Sequence, residues 1–184
     1  MYAHVDINNC YVSCETLFQP QLKGRVVVVL SNNDGCIIAR SNEAKQAGFK
    51  MGDAEFMARK QLKDNNAVIF SSNYALYADM SARLMNNLAR YTHKLMVYSI
   101  DEAFMALDKI YAVDMNAHAL KISENVMADT GLSITVGAGP TMALAKLANK
   151  AAKMQHRAYL VLEDEQQISE LVDKFPIEEV WGIG

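Results

Sequence analysis

Two adjacent carboxylates, Asp101 and Glu102, constrain the fold of this chain more than any other feature of its sequence. Apolar β-forming residues flank them on both sides, before Tyr98 and from Phe104 onward. This arrangement predicts two strands joined by a tight turn. Because successive side chains on a strand point to opposite faces, two neighbouring acids can serve one site only where the backbone bends. We therefore predict a β-hairpin with its acids at or near the turn.

The acidic hairpin has two interpretations that the residues alone leave open. Carboxylates placed side by side repel each other, and burial would force a proton onto one of them. A divalent cation removes that penalty, which favours a metal-binding hairpin. Acid-rich turns are also common between ordinary strands, so the same residues are compatible with a polar turn that binds nothing.

Composition places the chain among globular proteins. It has 184 residues, of which 51% are hydrophobic and 21% are charged, as expected for one domain or a domain with a subdomain. The longest apolar run, 26–30, is too short to span a bilayer, and residues 1–20 lack the pattern of a signal peptide. We expect a cytoplasmic protein with no membrane contact.

Charge and cysteine content give no support to two further classes of protein. The formal net charge of −3 gives no electrostatic argument for nucleic-acid binding. Three cysteines without a CxxC spacing argue against a disulfide scaffold or a structural zinc site. We expect Cys10, Cys14 and Cys36 to be packing thiols.

The order of predicted elements indicates an α+β fold of the ferredoxin-like, split βαβ type. An antiparallel sheet would be backed by helices, and residues from about 13 to 73 would form an inserted small α/β subdomain. The elements outside the insertion are a strand at 1–7, a helix at 74–91, the hairpin, a helix at 113–130, a strand at 132–138, a helix at 142–154, a strand at 159–162 and a helix at 165–172. Within the region 11–73 the pattern predicts helices at 11–17, 42–46 and 54–62 and strands at 26–30, 36–40 and 67–70.

A third carboxylate, Asp6, lies at the end of the first predicted strand. If that strand and the hairpin are central neighbours in the sheet, Asp6, Asp101 and Glu102 converge on one point. Oxygen-only ligation suits Mg²⁺ or Mn²⁺ better than zinc. Two such ions can lower the pKa of an attacking hydroxyl and stabilise a leaving oxygen, which is the arrangement used for phosphoryl transfer.

Several cations could complement this site by binding a triphosphate. Each of them could equally be a solvated surface charge. They are Lys146, Lys150 and Lys153 on the helix after Gly139, and Arg40 and Lys45 in the insertion.

Two other side chains have a structural interpretation beside a functional one. His4 shares a strand face with Asp6 and either packs or reaches the metal shell. Tyr11 is either a core aromatic or a platform beneath a bound sugar. Trp181 and the methionines are interpreted as packing residues only.

At the level of motifs, the chain resembles the Y-family (translesion) DNA polymerases, and within them the UmuC-type catalytic subunits of DNA polymerase V. The resemblance covers essentially the whole chain in order. The matching strings are DINNCYVSCE at 6–15, VVVLSNNDGC at 27–36, FSSNY at 70–74, YADMS at 77–81, YSIDEAF at 98–104, VGAG at 136–139, LAKLAN at 144–149 and VWGIG at 180–184.

The resemblance implies a division into named polymerase subdomains. Residues 1–12 and 74–165 would form the palm, and residues 13–73 the fingers. Residues 166–184 would begin a truncated thumb, with the rest of the thumb and the little finger absent. On this expectation the chain is a fragment, either cloned or naturally truncated, and the missing parts would carry most of the positive charge that neutralises DNA phosphates.

The resemblance also implies roles for individual residues. Asp6, Asp101 and Glu102 would be the metal carboxylates for two Mg²⁺ ions, with Mn²⁺ as a substitute and the Ile7 carbonyl as an extra ligand. Tyr11 falls at the steric-gate position, where a ring excludes a ribose 2′-hydroxyl, and Lys153 would contact the triphosphate. Lys45 and Asn42 fall where many relatives have Arg and Tyr, which supports phosphate contact by Lys45 more than by Asn42, although a Lys lacks the bidentate fork of Arg.

The implied activity is template-directed addition of a deoxynucleotide to a primer 3′-hydroxyl by an error-prone translesion polymerase of the SOS response. Its partners would be primer–template DNA, deoxynucleoside triphosphates, a UmuD-type accessory subunit, RecA and the sliding clamp. A non-catalytic fragment that acts only through partner binding is the alternative. Nucleotide cyclases share the sheet topology and the acidic hairpin, but that likeness is one of fold alone.

Overall fold

A computed structural model describes residues 1–107 and 114–183 of the chain. The chain divides into two compact units, the first made of Met1–Ile7 with Ser81–Gly184 and the second of Asn8–Met80. These boundaries lie five and seven residues from those expected for the inserted subdomain. The assignment of palm, fingers and thumb stays a prediction.

The helices and strands follow the sequence prediction closely, and nearly all ends agree within two residues. The helix predicted to reach Tyr91 ends at Leu88, and the predicted helix start at Val113 lies outside the described residues. In chain order the elements are β1 (Tyr2–Ile7), α1 (Cys10–Leu17), β2 (Val27–Leu30), β3 (Ile37–Arg40), α2 (Asn42–Gln46), α3 (Glu55–Asp64), β4 (Val68–Ser71), α4 (Tyr74–Leu88), β5 (Leu95–Val97), β6 (Glu102–Ala106), α5 (Met115–Thr130), β7 (Ile134–Gly139), α6 (Met142–Met154), β8 (Tyr159–Val161) and α7 (Glu165–Val172).

The first unit contains a five-stranded sheet in the order β5-β6-β1-β7-β8. The pairs β5–β6, β6–β1 and β1–β7 are antiparallel, and β7–β8 is parallel because α6 carries the chain back between these two strands. The predicted α+β class is confirmed, with this parallel edge pair as an addition to the expected antiparallel sheet. The first strand, β1, and the hairpin strand β6 are neighbours in the sheet, which is the condition under which the sequence predicts that the three acids converge.

Helix α6 packs unusually close to the sheet, and a glycine makes this possible. A Cβ atom at Gly137 on β7 would lie well inside van der Waals contact of the Ala145 carbonyl oxygen and the Asn149 nitrogen on α6. The buried Asn149 amide donates to the carbonyl oxygens of His4 at 3.2 Å and Thr135 at 2.7 Å, joining the helix to β1 and β7. The side chains of α6 are thereby fixed relative to the end of β1.

The second unit has its own three-stranded sheet, in the order β3-β2-β4, and its own apolar core. Ser41 organises its centre, since the hydroxyl accepts from Ala44 N at 3.1 Å to cap α2 and from Val27 N at 3.1 Å on β2. The buried residues of this core include Val28, Leu30, Ile37, Phe49 and Leu62.

None of the helices that the structure describes combines the length and the apolar character that a membrane span requires.

Candidate active site

The three predicted carboxylates lie at the same end of the central strands of the first unit. Asp6 on β1 stands directly opposite Glu102 on β6 in the antiparallel register. The Ile7 N–H donates to the carbonyl oxygen of Asp101 at 3.0 Å, so the turn before β6 is tied to the end of β1. The structure therefore places all three acids around one strand end, and their roles as metal ligands stay predictions.

The hairpin turn holds Asp101 through its own polar groups. The N–H groups of Tyr98 and Ser99 both donate to the carbonyl oxygen of Glu102, at 3.0 and 3.1 Å. The Ser99 hydroxyl donates to Asp101 Oδ1 at 2.6 Å. Asp101 thus leaves the strand on a tight turn, as the sequence required if two adjacent acids are to serve one site.

Helix α6 supplies a cation to each of the two acids at the strand ends. Lys153 forms an ion pair with Asp6, and Lys146 Nζ lies 2.7 Å from Glu102 Oε2. These lysines are seven residues apart, which is about two helical turns and places them on one helix face. Lys150, between them, pairs with Glu179 instead.

The pKa values of the two opposed acids are shifted in opposite directions. Burial raises the pKa of Asp6, the Lys153 ammonium opposes that rise, and the negative charges of Asp101 and Glu102 add to it. The contact with His4 lowers the pKa of Glu102 to about 2, with burial acting against it and the Lys146 ammonium reinforcing it. A cation near Asp6 would relieve the repulsion from Asp101 and Glu102.

Over residues 1–107 and 114–183, no group of three or more His, Cys, Asp or Glu side chains is arranged so that it could hold a metal ion. Asp6 is paired with Lys153 and Glu102 with Lys146. The donors themselves suit Mg²⁺ or Mn²⁺, because they are carboxylate oxygens whose charges repel one another. By donor type and by electrostatics, the site fits a divalent cation.

His4 lies on the same strand face as Asp6 and is 2% exposed. Its Nε2 is 3.5 Å from Glu102 Oε2, and its ring packs against Phe104 with centroids 4.8 Å apart. The contact with Glu102 makes His4 part of the site. Its position in the sequence, two residues before Asp6, does not distinguish a packing residue from a site residue.

A pocket of about 430 Å³ opens beside the acids and is lined partly by the segment that follows α7. Trp181 donates from Nε1 to the Tyr98 hydroxyl at 3.1 Å, and Lys146 Nζ lies 4.6 Å from the centre of the Tyr98 ring. Trp181, predicted to be a packing residue, packs against Tyr98 and Phe104 with ring centroids 5.6 and 5.4 Å apart, and it is 36% exposed at the pocket. Only its place in the VWGIG string distinguished it in the sequence, because an isolated Trp carries no periodic signal.

The second unit contains Tyr11, the predicted steric gate. Its ring stacks on Tyr77 with centroids 4.3 Å apart and planes 12° apart, and it meets Tyr74 edge-on. Tyr77 is fully buried and donates from its hydroxyl to the buried Glu15 at 2.8 Å. Burial, and this bond to a carboxylate, raise the pKa of Tyr77. Tyr11 is therefore held by a rigid aromatic support, which the sequence had not indicated.

The same unit brings together the two other predicted nucleotide-binding residues. Lys45 Nζ lies 2.5 Å from Asn9 Oδ1, and Asn9 Nδ2 donates to Asn42 Oδ1 at 3.0 Å. Asn9 has a φ of 51°, a left-handed conformation that Asn tolerates better than most residues. Asn9 thereby connects Asn42 with Lys45.

Comparison with known proteins gives a consistent result. The sequence profile of the impB/mucB/samB family matches residues 5–150. The chain is 45% identical to Protein UmuC of Salmonella typhimurium, and the match covers 100% of this chain and 44% of that protein. The chain thus spans less than half the length of this relative.

Solved structures agree with the sequence comparison. The insertion ternary complex of Dbh DNA polymerase superposes with a TM-score of 0.87 at 26% identity, over 100% of this chain and 54% of that one. A Y-family DNA polymerase chimera of Dbh and Dpo4 superposes with a TM-score of 0.84 at 27% identity, with the same coverage. The resemblance inferred from the motifs is confirmed: the chain belongs to the impB/mucB/samB family and has the fold of the Y-family DNA polymerases.

Proposed function

We propose that this chain is the catalytic N-terminal part of an error-prone translesion DNA polymerase of the SOS response. One observation carries the proposal, namely that Asp6 stands opposite Glu102 while the backbone of Asp101 is tied to Ile7, in a chain of this family. Three acids at one strand end suit phosphoryl transfer, in which positioning and charge stabilisation do most of the work.

Asp6, Asp101 and Glu102 would hold two Mg²⁺ ions, with the Ile7 carbonyl as a further ligand and Mn²⁺ as a substitute. The ions would supply Lewis-acid stabilisation and lower the pKa of the attacking primer 3′-hydroxyl. The ion pairs to Lys153 and Lys146 favour the charged forms of Asp6 and Glu102. With metal ions held by the acids, these two lysines would be cations available for the phosphates of an incoming nucleotide.

The remaining nucleotide-binding roles are those that the family resemblance implies. Lys153 would contact the triphosphate, and Lys45 and Asn42 would contact phosphate. Tyr11, held flat against Tyr77, would exclude a ribose 2′-hydroxyl and so select deoxynucleotides. The reaction is addition of a deoxynucleotide to a primer with release of pyrophosphate, on primer–template DNA.

The wider partners belong to the same proposal. A UmuD-type accessory subunit, RecA and the sliding clamp would bring the enzyme to stalled replication. The alternative is a chain that binds such partners without turnover. The observation that favours this alternative is that the chain covers only 44% of the length of UmuC.

Two measurements on the 184-residue chain test the proposal. Calorimetric titration with Mg²⁺ and a deoxynucleoside triphosphate should show binding that Asp101→Ala abolishes. Asp64→Ala, which removes an exposed carboxylate at the end of α3, is the matched control and should bind as the wild type does.

Primer extension then separates the two versions of the proposal. Extension that depends on Asp101 supports a catalytic part, whereas binding without extension supports the non-catalytic alternative. Binding that is equal in wild type and Asp101→Ala would refute the metal assignment.

A further inference from the structure

We propose that His4 is a positioning residue that fixes the orientation of the Glu102 carboxylate through its Nε2–H group. The inference rests on the proposed function, because it gives a role to a residue beside the metal carboxylates. The proposed role is to orient the Glu102 carboxylate, and His4 takes no part in the reaction itself.

The first observation is that His4 is buried without the hydrogen bonds an imidazole requires. It is 2% exposed, and neither Nδ1 nor Nε2 has a hydrogen-bond partner among residues 1–107 and 114–183. Buried polar groups are nearly always paired, and an exception calls for an explanation such as a functional role. The Glu102 carboxylate faces this imidazole, with its Oε2 atom 3.5 Å from His4 Nε2.

The second observation is that the imidazole is fixed while the carboxylate has more freedom. The backbone of His4 is held in β1, where its carbonyl oxygen accepts from Asn149, and its ring is packed against Phe104. The Glu102 side chain is 19% exposed and lies at the first residue of β6. A shift of the Glu102 carboxylate by about half an ångström would complete the hydrogen bond at an ordinary length.

The third observation is that two groups approach the same carboxylate oxygen. Lys146 Nζ is 2.7 Å from Glu102 Oε2, the atom that Nε2 of His4 also faces. A divalent cation at the acids would compete with Lys146, whose side chain is 25% exposed, whereas the imidazole, which is 2% exposed, would stay in place. A fixed donor at Oε2 sets the rotation of the carboxylate and therefore the direction of Oε1. Outer partners of this kind typically change metal affinity by about 10- to 100-fold.

Two substitutions separate this role from packing. His4→Phe keeps an aromatic ring against Phe104 but removes the donor. His4→Gln loses the ring but keeps an N–H donor on the same strand face. A residue that only fills space would tolerate Phe better than Gln, and a donor to Glu102 would show the reverse order.

The experiment is calorimetric titration of the whole chain with Mn²⁺, accompanied by thermal unfolding without metal. We expect His4→Phe to weaken Mn²⁺ binding by about tenfold or more, and His4→Gln to stay within about threefold of the wild type. If His4→Phe does not fold, His4→Leu makes the same test because it also lacks a donor. The emission of Trp181, the only tryptophan in the chain, gives a second readout because Lys146 Nζ lies 6.0 Å from the centre of its ring.

The outcomes distinguish this inference from the function on which it rests. Mn²⁺ binding that Asp101→Ala abolishes but His4→Phe leaves unchanged overturns the role of His4 alone. A loss in His4→Gln that equals or exceeds the loss in His4→Phe also overturns it, in favour of packing. Binding that survives Asp101→Ala, or no Mn²⁺ binding by a folded wild type, counts against the metal site and the inference together.

Discussion

Asp6 and Glu102 stand directly opposite each other across the β1–β6 pair, yet their pKa values are shifted in opposite directions. Asp6 is nine-tenths buried, so loss of hydration dominates there. Glu102 is more exposed and lies within reach of both His4 and Lys146. Two acids at one strand end therefore respond differently to pH and to the loss of a neighbouring cation, and the first two predictions test this difference.

Lys153→Ala should destabilise the chain at pH 7, because it leaves the buried Asp6 carboxylate without its ion-pair partner. Lys153 is 36% exposed, so we expect a loss in the free energy of unfolding of only about 1 kcal/mol. The pKa of Asp6, already raised by burial, should rise further. A carboxyl group with a raised pKa in the folded state stabilises folding at low pH, and this stabilisation is lost as pH rises through that pKa. The loss of unfolding free energy in Lys153→Ala should therefore shrink on acidification.

Urea denaturation at pH 5 and pH 7.5 measures this effect. Lys150→Ala is the matched control, since its ion pair with Glu179 is more exposed on both sides and should contribute about 0.5 kcal/mol or less. A Lys153→Ala deficit that grows on acidification would contradict the assignment of Asp6.

Glu102 should give the opposite pH dependence. Its pKa falls from an ordinary value of 4.5 to about 2 in the folded chain, so the stabilisation is complete above pH 4.5 and is lost as pH falls toward 2. We expect the loss to be on the order of 2 kcal/mol. Glu102→Gln should reduce the slope of unfolding free energy against pH in this window. Equal slopes in the wild type and in Glu102→Gln would show that other carboxylates dominate acid unfolding.

Gly137→Ala should be among the most damaging small substitutions in the first unit. The added methyl group would meet backbone atoms of α6, which cannot rotate away as a side chain can. We expect a loss of about 3 kcal/mol or a failure to fold. At Gly139 the nearest atom to an added Cβ is the Leu144 Cβ at 3.1 Å, so Gly139→Ala should cost about 1 kcal/mol. Thermal unfolding of both variants checks the ranking, and equal midpoints would contradict it.

Much of the fold was predictable because its signals are local. The alternation around Asp101 and Glu102 indicated the hairpin, and the central pairing of β1 with β6 followed from the split βαβ order. The helices 42–46, 142–154 and 165–172 were predicted with the bounds that the structure has. Their caps explain this agreement, because Ser41, Thr141 and Asp164 each accept from a backbone N–H of the first turn.

The contacts within the site were less predictable, because they depend on distances between elements remote in sequence. The pairing of Lys153 with Asp6 spans 147 residues and depends on how closely α6 packs on Gly137. Nothing in the local pattern distinguishes Lys146 and Lys153, which pair with the acids, from Lys150, which does not. The support of Tyr11 by Tyr77 is of the same kind, since the two residues belong to different helices.

Tyr11→Ala should remove the discrimination between deoxyribose and ribose triphosphates. In the wild type the Tyr11 ring stacks on the buried Tyr77, which favours one ring orientation, so we expect the ring to clash with the 2′-hydroxyl of a ribose bound against it. We expect the preference for dATP over ATP to fall by about tenfold or more, measured by calorimetric titration in the presence of Mg²⁺. Tyr11→Phe keeps the ring and serves as the matched control, so its preference should equal that of the wild type. A preference for dATP over ATP that is unchanged in Tyr11→Ala would refute the steric-gate role. Tyr11→Ala lacks the ring and Tyr11→Phe keeps it, so a difference between these two variants reports on the ring.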